Sequence, residues 1–182
     1  MMNLQEKLIE IYADRAERRY GLSAVNQLQH ALQAAHLAQK AGHPDSLIAA
    51  ALLHDIGHMV HDLGENPAER GVDDAHEALG ADWLAQHFPP EVTEPVRLHV
   101  AAKRYLCTTE SDYFSKLSED SVRSLALQGG EMSADEISAF EANPGAQHAV
   151  ILRRLDEEAK DPDAVTPSFS DFLPLLMKTA RQ

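Results

Sequence analysis

The chain has 182 residues, of which 44% are hydrophobic, and 16 basic against 29 acidic side chains give a net charge of -13. This excess of negative charge argues against a nucleic-acid partner, because it would repel a phosphate backbone. No apolar run approaches the ~20 residues that span a bilayer, and the charged N-terminus is unlike a signal peptide. Cys107 is the only cysteine, so no internal disulfide is possible, and we expect a cytoplasmic protein without membrane association.

Apolar residues recur at three- and four-residue steps along the chain, and alternating runs of branched residues are missing, which predicts an all-α fold. A first helix is predicted over 4–19 and a second over 23–40, ended by Gly42. Residues 47–54 predict a short helix that is apolar on all sides and therefore buried. Gly, Pro and charged residues over 62–73 predict a loop.

Helix signals continue through the second half of the chain. Asp74 is predicted to cap one helix and Pro90 to open the next. Ser133 and Glu136 have the spacing of a capping box. The remaining helices are predicted over 119–127, 133–141, 144–160 and 170–181. Because no repeat, low-complexity stretch or linker interrupts this series, we predict a single domain over 1–182.

The strongest local signal is the run from Leu52 to His58, in which His54 and Asp55 end an apolar helix just before Gly57. A buried carboxylate beside a buried imidazole is costly without a partner. A divalent ion such as iron, manganese or zinc suits both donors, and a carboxylate can bridge two ions. The alternative is a capped helix end in which the imidazole and the carboxylate bond to each other.

Four further histidine and aspartate residues lie before and after this pair. His30 lies 24 residues before His54, His76 lies 22 after it, His99 another 23 on, and Asp156 a further 57. Any one of these histidines alone is better explained as a core or surface residue. The set H…HD…H…H…D, however, resembles the HD-domain superfamily, whose helices each contribute a ligand to one metal pocket. The two intervening histidines supply what a second ion needs.

The resemblance covers nearly the whole chain and narrows to the mixed-valent diiron oxygenases of the HD superfamily. Among these, the chain length fits the small phosphonate-cleaving oxygenases of the PhnZ and TmpB type. The resemblance implies a helical bundle with a dinuclear site in its core and two iron ions, an Fe2+/Fe3+ pair, as cofactor. One iron would be held by His30, His54, Asp55 and Asp156, and the other by Asp55, His76 and His99.

The same resemblance implies the substrate-binding residues on the phosphonate side: Gln29, His58, Lys103, Ser121, Ser124 and Arg153, with His58 and Lys103 as catalytic residues. Lys103 lies one helical turn after His99, and Arg153 nearly one turn before Asp156, so both cations would face the metal pocket. An acidic protein needs such local cations to bind an anion, and arginine can fork onto phosphonate oxygens. The alternative is that Lys103 and Arg153 belong to solvated helix surface.

Tyr20 lies ten residues before His30, where this branch places a tyrosine that can approach an iron. Three residues later, the aminophosphonate enzyme has a glutamate as counter-ion for a primary ammonium, whereas this chain has Ser23. Without that charged hydrogen-bond acceptor we expect a trimethylammonium substrate, whose diffuse charge is met by aromatic faces. The candidate aromatics are Tyr20, Tyr105 and Tyr113, and Asn26 is a further candidate for substrate binding.

By resemblance, the chain would convert (1R)-1-hydroxy-2-(trimethylammonio)ethylphosphonate and O2 to glycine betaine and phosphate. One alternative is the same reaction on 2-amino-1-hydroxyethylphosphonate, which gives glycine. Another is a metal-dependent phosphohydrolase, because HD ligands can also activate water against a phosphate ester. A non-enzymatic binding module is disfavoured, since all six ligand positions are filled. The oligomeric state stays open, with a monomer as one option.

Overall fold

A computed structural model describes residues 2–20, 22–61 and 67–181. Over these ranges the chain contains helices and no strand, which confirms the all-α prediction. Within them, no helix combines the length and apolar character that crossing a membrane requires. The α-helices of this part are, in chain order, α1 (Leu4–Glu10), α2 (Gln27–Lys40), α3 (Asp45–Leu53), α4 (His76–Ala85), α5 (Pro90–Thr109), α6 (Glu119–Leu127), α7 (Ala134–Glu141), α8 (Ala146–Glu158) and α9 (Phe169–Thr179).

The first two helices are shorter than predicted. A π-helical turn, Ile11–Arg15, continues α1 and ends it four residues before the predicted boundary. The start of α2 is moved to residue 27 by a capping box: the backbone N–H of Gln29 donates to Asn26 Oδ1 at 2.8 Å, and the backbone N–H of Asn26 donates to Gln29 Oε1 at 3.0 Å. Such a pair satisfies two N–H groups that the first helical turn leaves free.

Helix α3 is the centre of the bundle. All its residues from Leu47 to Leu53 are buried, and it contacts α2, α5, α8 and α9. Burial on every side is what its uniformly apolar sequence predicts. Helix α5 packs along both α4 and α8. These helices therefore enclose one volume beside the C-terminal end of α3, where His54 and Asp55 follow.

A close contact between the backbone at Gly57 and the backbone at His76 fixes where α4 begins. Gly57 lies in the 3-10 turn Ile56–Met59, and a Cβ atom there would stand only 1.9 Å from the carbonyl oxygen of His76. Only glycine leaves room for this contact. The predicted cap of α4 was wrong by one residue, because Ala75, with a left-handed φ of 48°, occupies the N-cap position. The carboxylate of Asp74 instead accepts the backbone N–H of His76 at 3.3 Å.

The later helices follow the sequence signals closely. Helix α6 has the predicted bounds, and the predicted capping box of Ser133 and Glu136 opens α7. Helix α8 begins at Ala146, two residues after the predicted start, and ends at Glu158. Of the loop predicted over 62–73, residues 62–66 lie outside the described residues. The 3-10 turn Pro67–Arg70 that follows contacts α6.

Candidate metal centre and active site

Six buried histidine and aspartate side chains meet in the volume between the central helices. They come from α2, α4, α5 and α8 and from the two residues after α3, and each has a relative exposure of 8% or less. They are the six predicted metal ligands, His30, His54, Asp55, His76, His99 and Asp156.

The six side chains form two groups of potential metal ligands. In each group, one donor atom per residue lies within 4.8 Å of the other two; the groups are His30, His54 and Asp156, and Asp55, His76 and His99. Asp55 stands between them, because its Oδ2 is 3.5 Å from His30 Nε2 and its Oδ1 is 3.5 Å from His76 Nε2. This is the position that a bridging carboxylate would occupy.

The hydrogen bonds of the first group fit a bound cation. His30 Nδ1 lies 2.7 Å from the carbonyl oxygen of Ala159, and His54 Nδ1 lies 2.7 Å from that of Ala51. A carbonyl only accepts, so each Nδ1 donates and each neutral ring keeps a lone pair on Nε2. The two Nε2 atoms are 3.1 Å apart, and Asp156 Oδ1 is 3.1 Å from His30 Nε2. A cation between these electron pairs would stabilise the arrangement.

The second group repeats this pattern. His99 Nδ1 lies 2.6 Å from the carbonyl oxygen of Val96, and His76 Nδ1 lies 3.0 Å from Asp74 Oδ1. The Nε2 atoms of His76 and His99 again face each other at 3.1 Å. Imidazole and carboxylate donors together suit iron, manganese and zinc. The residues present therefore fit a pair of such ions.

The buried charges also favour cations at these ligands. Burial by itself lowers the pKa of His54, but the carboxylates of Asp55 and Asp156 outweigh it and raise this pKa to about 9. Burial and the neighbouring His76 and His54 lower the pKa of His99 to about 3, so its ring is neutral as ligation requires. A metal ion would take the place of the protons that the carboxylates otherwise attract.

Asp74 organises the histidines around the second group. This buried carboxylate lies 2.5 Å from His58 Nδ1, 2.9 Å from His61 Nε2 and 3.0 Å from His76 Nδ1. Burial would raise the pKa of Asp74, yet the bonds with His58 and His76 hold it well below its usual range. The rings of His58 and His76 stack with centroids 3.9 Å apart. From the sequence, Asp74 is predicted only as a helix cap; its position two residues before His76 was the available signal for its role here.

A cavity of about 120 Å³ opens beside the ligands. Four of the ligands, Asp55, His76, His99 and Asp156, lie on its wall. Six of the predicted substrate residues lie there too: Tyr20, His58, Lys103, Ser121, Ser124 and Arg153. The structure thus brings five of the six predicted phosphonate-side residues and four of the six potential ligands to one cavity.

Lys103 is a buried pocket residue and not solvated helix surface. Its relative exposure is 3%, and its Nζ donates to Ser124 Oγ at 2.9 Å. Burial, assisted by the positive charge of Arg153, lowers the pKa of Lys103 to about 7. A bound anion would favour its charged form.

Arg153 is also buried, and its guanidinium is held on all sides. It donates to Asp156 and Glu157, to Ser121 Oγ at 3.1 Å and to Tyr113 Oη at 2.9 Å. Lys160, four residues after Asp156 and beyond the last turn of α8, was not predicted as a site residue but lines the same cavity. Its Nζ donates to Ser121 Oγ at 3.3 Å and to Glu157 Oε2 at 3.0 Å. Three cations therefore surround Ser121, in keeping with an anion-binding end of the cavity.

Three predicted substrate residues require correction, because none of them is among the described residues that line the cavity. Asn26 and Gln29 use their side chains in the capping box of α2, and Gln29 is exposed. Gln27 faces inward in its place and donates to Asp55 Oδ2 at 3.2 Å. The later start of α2 explains this difference. Ser23 is exposed and bonds to α6.

The predicted aromatic surface is reduced to one residue among the described cavity-lining side chains. Tyr20 lies on the cavity wall, with a left-handed φ of 45° and its ring 6.4 Å from that of His58. Tyr105 packs on Phe140 outside the cavity, and Tyr113 lies behind Arg153. Of the three tyrosines named as candidates, Tyr105 and Tyr113 therefore lie outside the described cavity lining.

Comparison with known proteins agrees with the predicted fold class. The HD domain family matches residues 27–161, a range that contains all six ligands. The chain therefore belongs to the HD-domain family.

Within that family, the chain is similar to two named dioxygenases. It is 42% identical over 176 residues to the (1-hydroxy-2-(trimethylamino)ethyl)phosphonate dioxygenase (glycine-betaine-forming) of Leisingera caerulea, across 97% of this chain and 90% of that protein. It is 46% identical over 166 residues to the hydroxymethylphosphonate dioxygenase of Gimesia maris, across 91% and 82%. An uncharacterised protein of Acanthamoeba polyphaga mimivirus is 33% identical over 156 residues, across 84% and 71%.

Proposed function

We propose that the chain is an iron-dependent oxygenase that cleaves the carbon-phosphorus bond of a 1-hydroxyphosphonate. The favoured substrate is (1R)-1-hydroxy-2-(trimethylammonio)ethylphosphonate, which with O2 gives glycine betaine and phosphate. The atoms of this reaction balance with O2 as the sole oxidant, so no external reductant is consumed in the net reaction. The observation that carries the proposal is that residues of both metal-ligand groups, among them Asp55 and Asp156, line one cavity with Lys103 and Arg153.

The cofactor we propose is a pair of iron ions in the Fe2+/Fe3+ state. The first would be held by His30, His54, Asp55 and Asp156 and the second by Asp55, His76 and His99. When bound, such a pair supplies the redox chemistry that activates O2. Mixed imidazole and carboxylate donors suit iron in this role.

The polar residues of the cavity would bind the phosphonate and orient the reacting carbon. Lys103 supplies a positive charge that a bound anion favours, and Ser124 offers a hydroxyl group beside it. Ser121 lines the same end of the cavity. Arg153 adds a second positive charge at the same end. Holding the phosphonate here fixes the adjacent C1 next to the ligand groups, and such positioning lowers the barrier to reaction.

His58 is the side chain best arranged to accept the proton of the hydroxyl group on C1. Its Nδ1 donates to Asp74, and its Nε2 reaches the cavity wall 3.8 Å from Asp55 Oδ1. A neutral ring with this tautomer keeps a lone pair on Nε2, which can accept the proton of the 1-hydroxyl group.

A second substrate is supported by a specific observation. The relative from Gimesia maris, named for hydroxymethylphosphonate, is 46% identical to this chain. Hydroxymethylphosphonate shares the phosphonate and the 1-hydroxyl group but has no second carbon. The phosphonate end of the cavity would serve both substrates, so the choice between them depends on the residues farther from Lys103.

The test is to measure iron content, O2 uptake and phosphate release with protein purified without oxygen. We expect close to two irons per chain and, on adding the trimethylammonio substrate and O2, one phosphate for each O2 consumed. Hydroxymethylphosphonate and 2-amino-1-hydroxyethylphosphonate are compared at equal concentration, and Asp55→Ala, which removes the shared ligand, is the inactive control. Phosphate release from esters without O2 uptake would instead establish a phosphohydrolase.

A further inference from the structure

Ser23 forms two hydrogen bonds with the carboxylate of Asp120, a residue that lies on the cavity wall. The backbone N–H of Ser23 donates to Asp120 Oδ2 at 3.0 Å, and its hydroxyl donates to Asp120 Oδ1 at 2.8 Å. Both carboxylate oxygens are thus oriented by one residue. Asp120 is half-buried in the first turn of α6 and lines the cavity.

The carboxylate of Asp120 has no cationic partner among the residues that the structure describes. Of the basic side chains on the neighbouring segments, Arg19 donates to the carbonyl oxygen of Ser23, and Arg123, which also lines the cavity, stands 3.9 Å from Glu69. Lys160 is bonded to Glu157 and to serine hydroxyl groups. Each oxygen of Asp120 accepts a single hydrogen bond and keeps acceptor capacity. A negative charge on a cavity wall therefore remains available to a cationic ligand.

The position of Asp120 relates this charge to the proposed substrate. Asp120 directly precedes Ser121, one of the proposed phosphonate contacts, in the first turn of α6, which borders the cavity along its length. Leu22 and Tyr20, on the segment that carries Ser23, line the cavity as well. A phosphonate bound at Ser121 would leave its C2 substituent among these residues. Because Tyr20 is the one tyrosine among the described cavity-lining residues, a positive substituent in this part of the cavity would also need a carboxylate such as that of Asp120.

We propose that Asp120, oriented by Ser23, is a specificity-determining residue that selects hydroxyphosphonates with a cationic group on C2. This inference rests on the proposed function, whose phosphonate site it extends. The inference also gives Ser23 a second role. The serine stands where the aminophosphonate enzyme has a glutamate, but it holds the carboxylate of Asp120 in position. A carboxylate attracts both primary and quaternary ammonium groups, whereas hydroxymethylphosphonate has no group that would use it.

Binding without oxygen tests this residue separately from turnover. Calorimetry on anaerobic, iron-loaded protein compares two ligands, the trimethylammonio hydroxyphosphonate and its neutral isostere, in which a tert-butyl group replaces the trimethylammonium. In Asp120→Asn, the preference for the cation over the isostere, expressed as the ratio of their Kd values, should fall about tenfold, the size expected for one partly screened charge pair. Ser23→Ala should lower the ratio in the same direction by less, because the carboxylate keeps its charge but loses its fixed orientation.

Glu119→Gln is the matched control. It removes one negative charge from the same helical turn, but Glu119 is exposed and is not among the described cavity-lining residues. The ratio should stay at the wild-type value in this variant. An unchanged ratio in Asp120→Asn, or an equal fall in Glu119→Gln, would overturn the assignment. If the wild-type protein binds the trimethylammonio ligand but releases no phosphate when O2 is added, the proposed function is wrong. The binding measurements still decide the role of Asp120 in that case.

Discussion

Replacing Gly57 by alanine is expected to disable one ligand group and spare the other. The new Cβ atom would lie 1.9 Å from the carbonyl oxygen of His76 and 2.6 Å from its carbonyl carbon. Because non-bonded carbon and oxygen atoms lie roughly 3.4 Å apart or more, the first turn of α4 must retreat by about 1.5 Å. The atom that blocks the new side chain is backbone, so no rotamer change can relieve the contact.

This displacement is large compared with what metal coordination tolerates. Ligand distances hold to within about 0.2 Å, so moving the turn that carries His76 should detach its imidazole from the site. His30, His54 and Asp156 lie on other elements and should keep their positions. We therefore expect about one iron per folded chain in Gly57→Ala and a loss of oxygenase activity of at least about 100-fold.

The assay is metal content per chain, with circular dichroism to establish that the variant is folded. Gly80→Ala is the matched control, because its Cβ would lie 3.1 Å from the backbone nitrogen of Gly57 in the same contact and needs a shift of only a few tenths of an ångström. It should retain both irons. Two irons and normal activity in Gly57→Ala would refute the idea that this contact positions His76.

Three further outcomes follow from the geometry. Asp74→Asn should weaken metal binding at the group containing His76 by about 10- to 100-fold, because an amide cannot accept from all three imidazoles; a metal titration equal to that of the wild type would contradict this role. The pKa of Lys103 is lowered to about 7, so its ammonium is charged below that pH and neutral above it, and the KM for a phosphonate should rise as the pH increases through 7. In Lys103→Arg, whose charge does not titrate, KM should not follow this rise; the same rise in the variant would show that another group is responsible. Leu52→Ala, at the fully buried centre of α3, should lower the free energy of unfolding by about 2–5 kcal/mol in urea denaturation, and a loss below about 1 kcal/mol would mean that α3 is not the centre of the core.

Local signals account for most of the fold prediction. Helix periodicity and capping boxes depend on residues three or four apart, so they can be recognised without knowledge of packing. The bounds of α6 and the cap of α7 were predicted in this way. The start of α2 was predicted too early because Ser23 was taken into the helix, whereas the reciprocal bonds of Asn26 and Gln29 place the N-terminus at residue 27.

The six potential ligands could also be identified from the sequence, because the adjacent pair His54 and Asp55 and the intervals around it resemble a known family. Lys103 and Arg153 came from the same source, and the structure shows them buried where spacing alone also allowed solvated surface. Gln29 was misplaced, since a shift in the helix start changes which glutamine faces inward. Gln27 occupies that inward position.

The sequence by itself determined the helical class and most helix boundaries to within two residues, because these depend on side-chain type and short spacings. It also indicated the six potential metal ligands, through their resemblance to a known family. The tertiary structure decided which polar groups share the cavity. Asp120 reaches Ser23 across 97 positions of sequence, and Asp74 gathers three imidazoles from two segments. Such pairings arise when helices pack and exclude water from particular faces, and no local pattern encodes them.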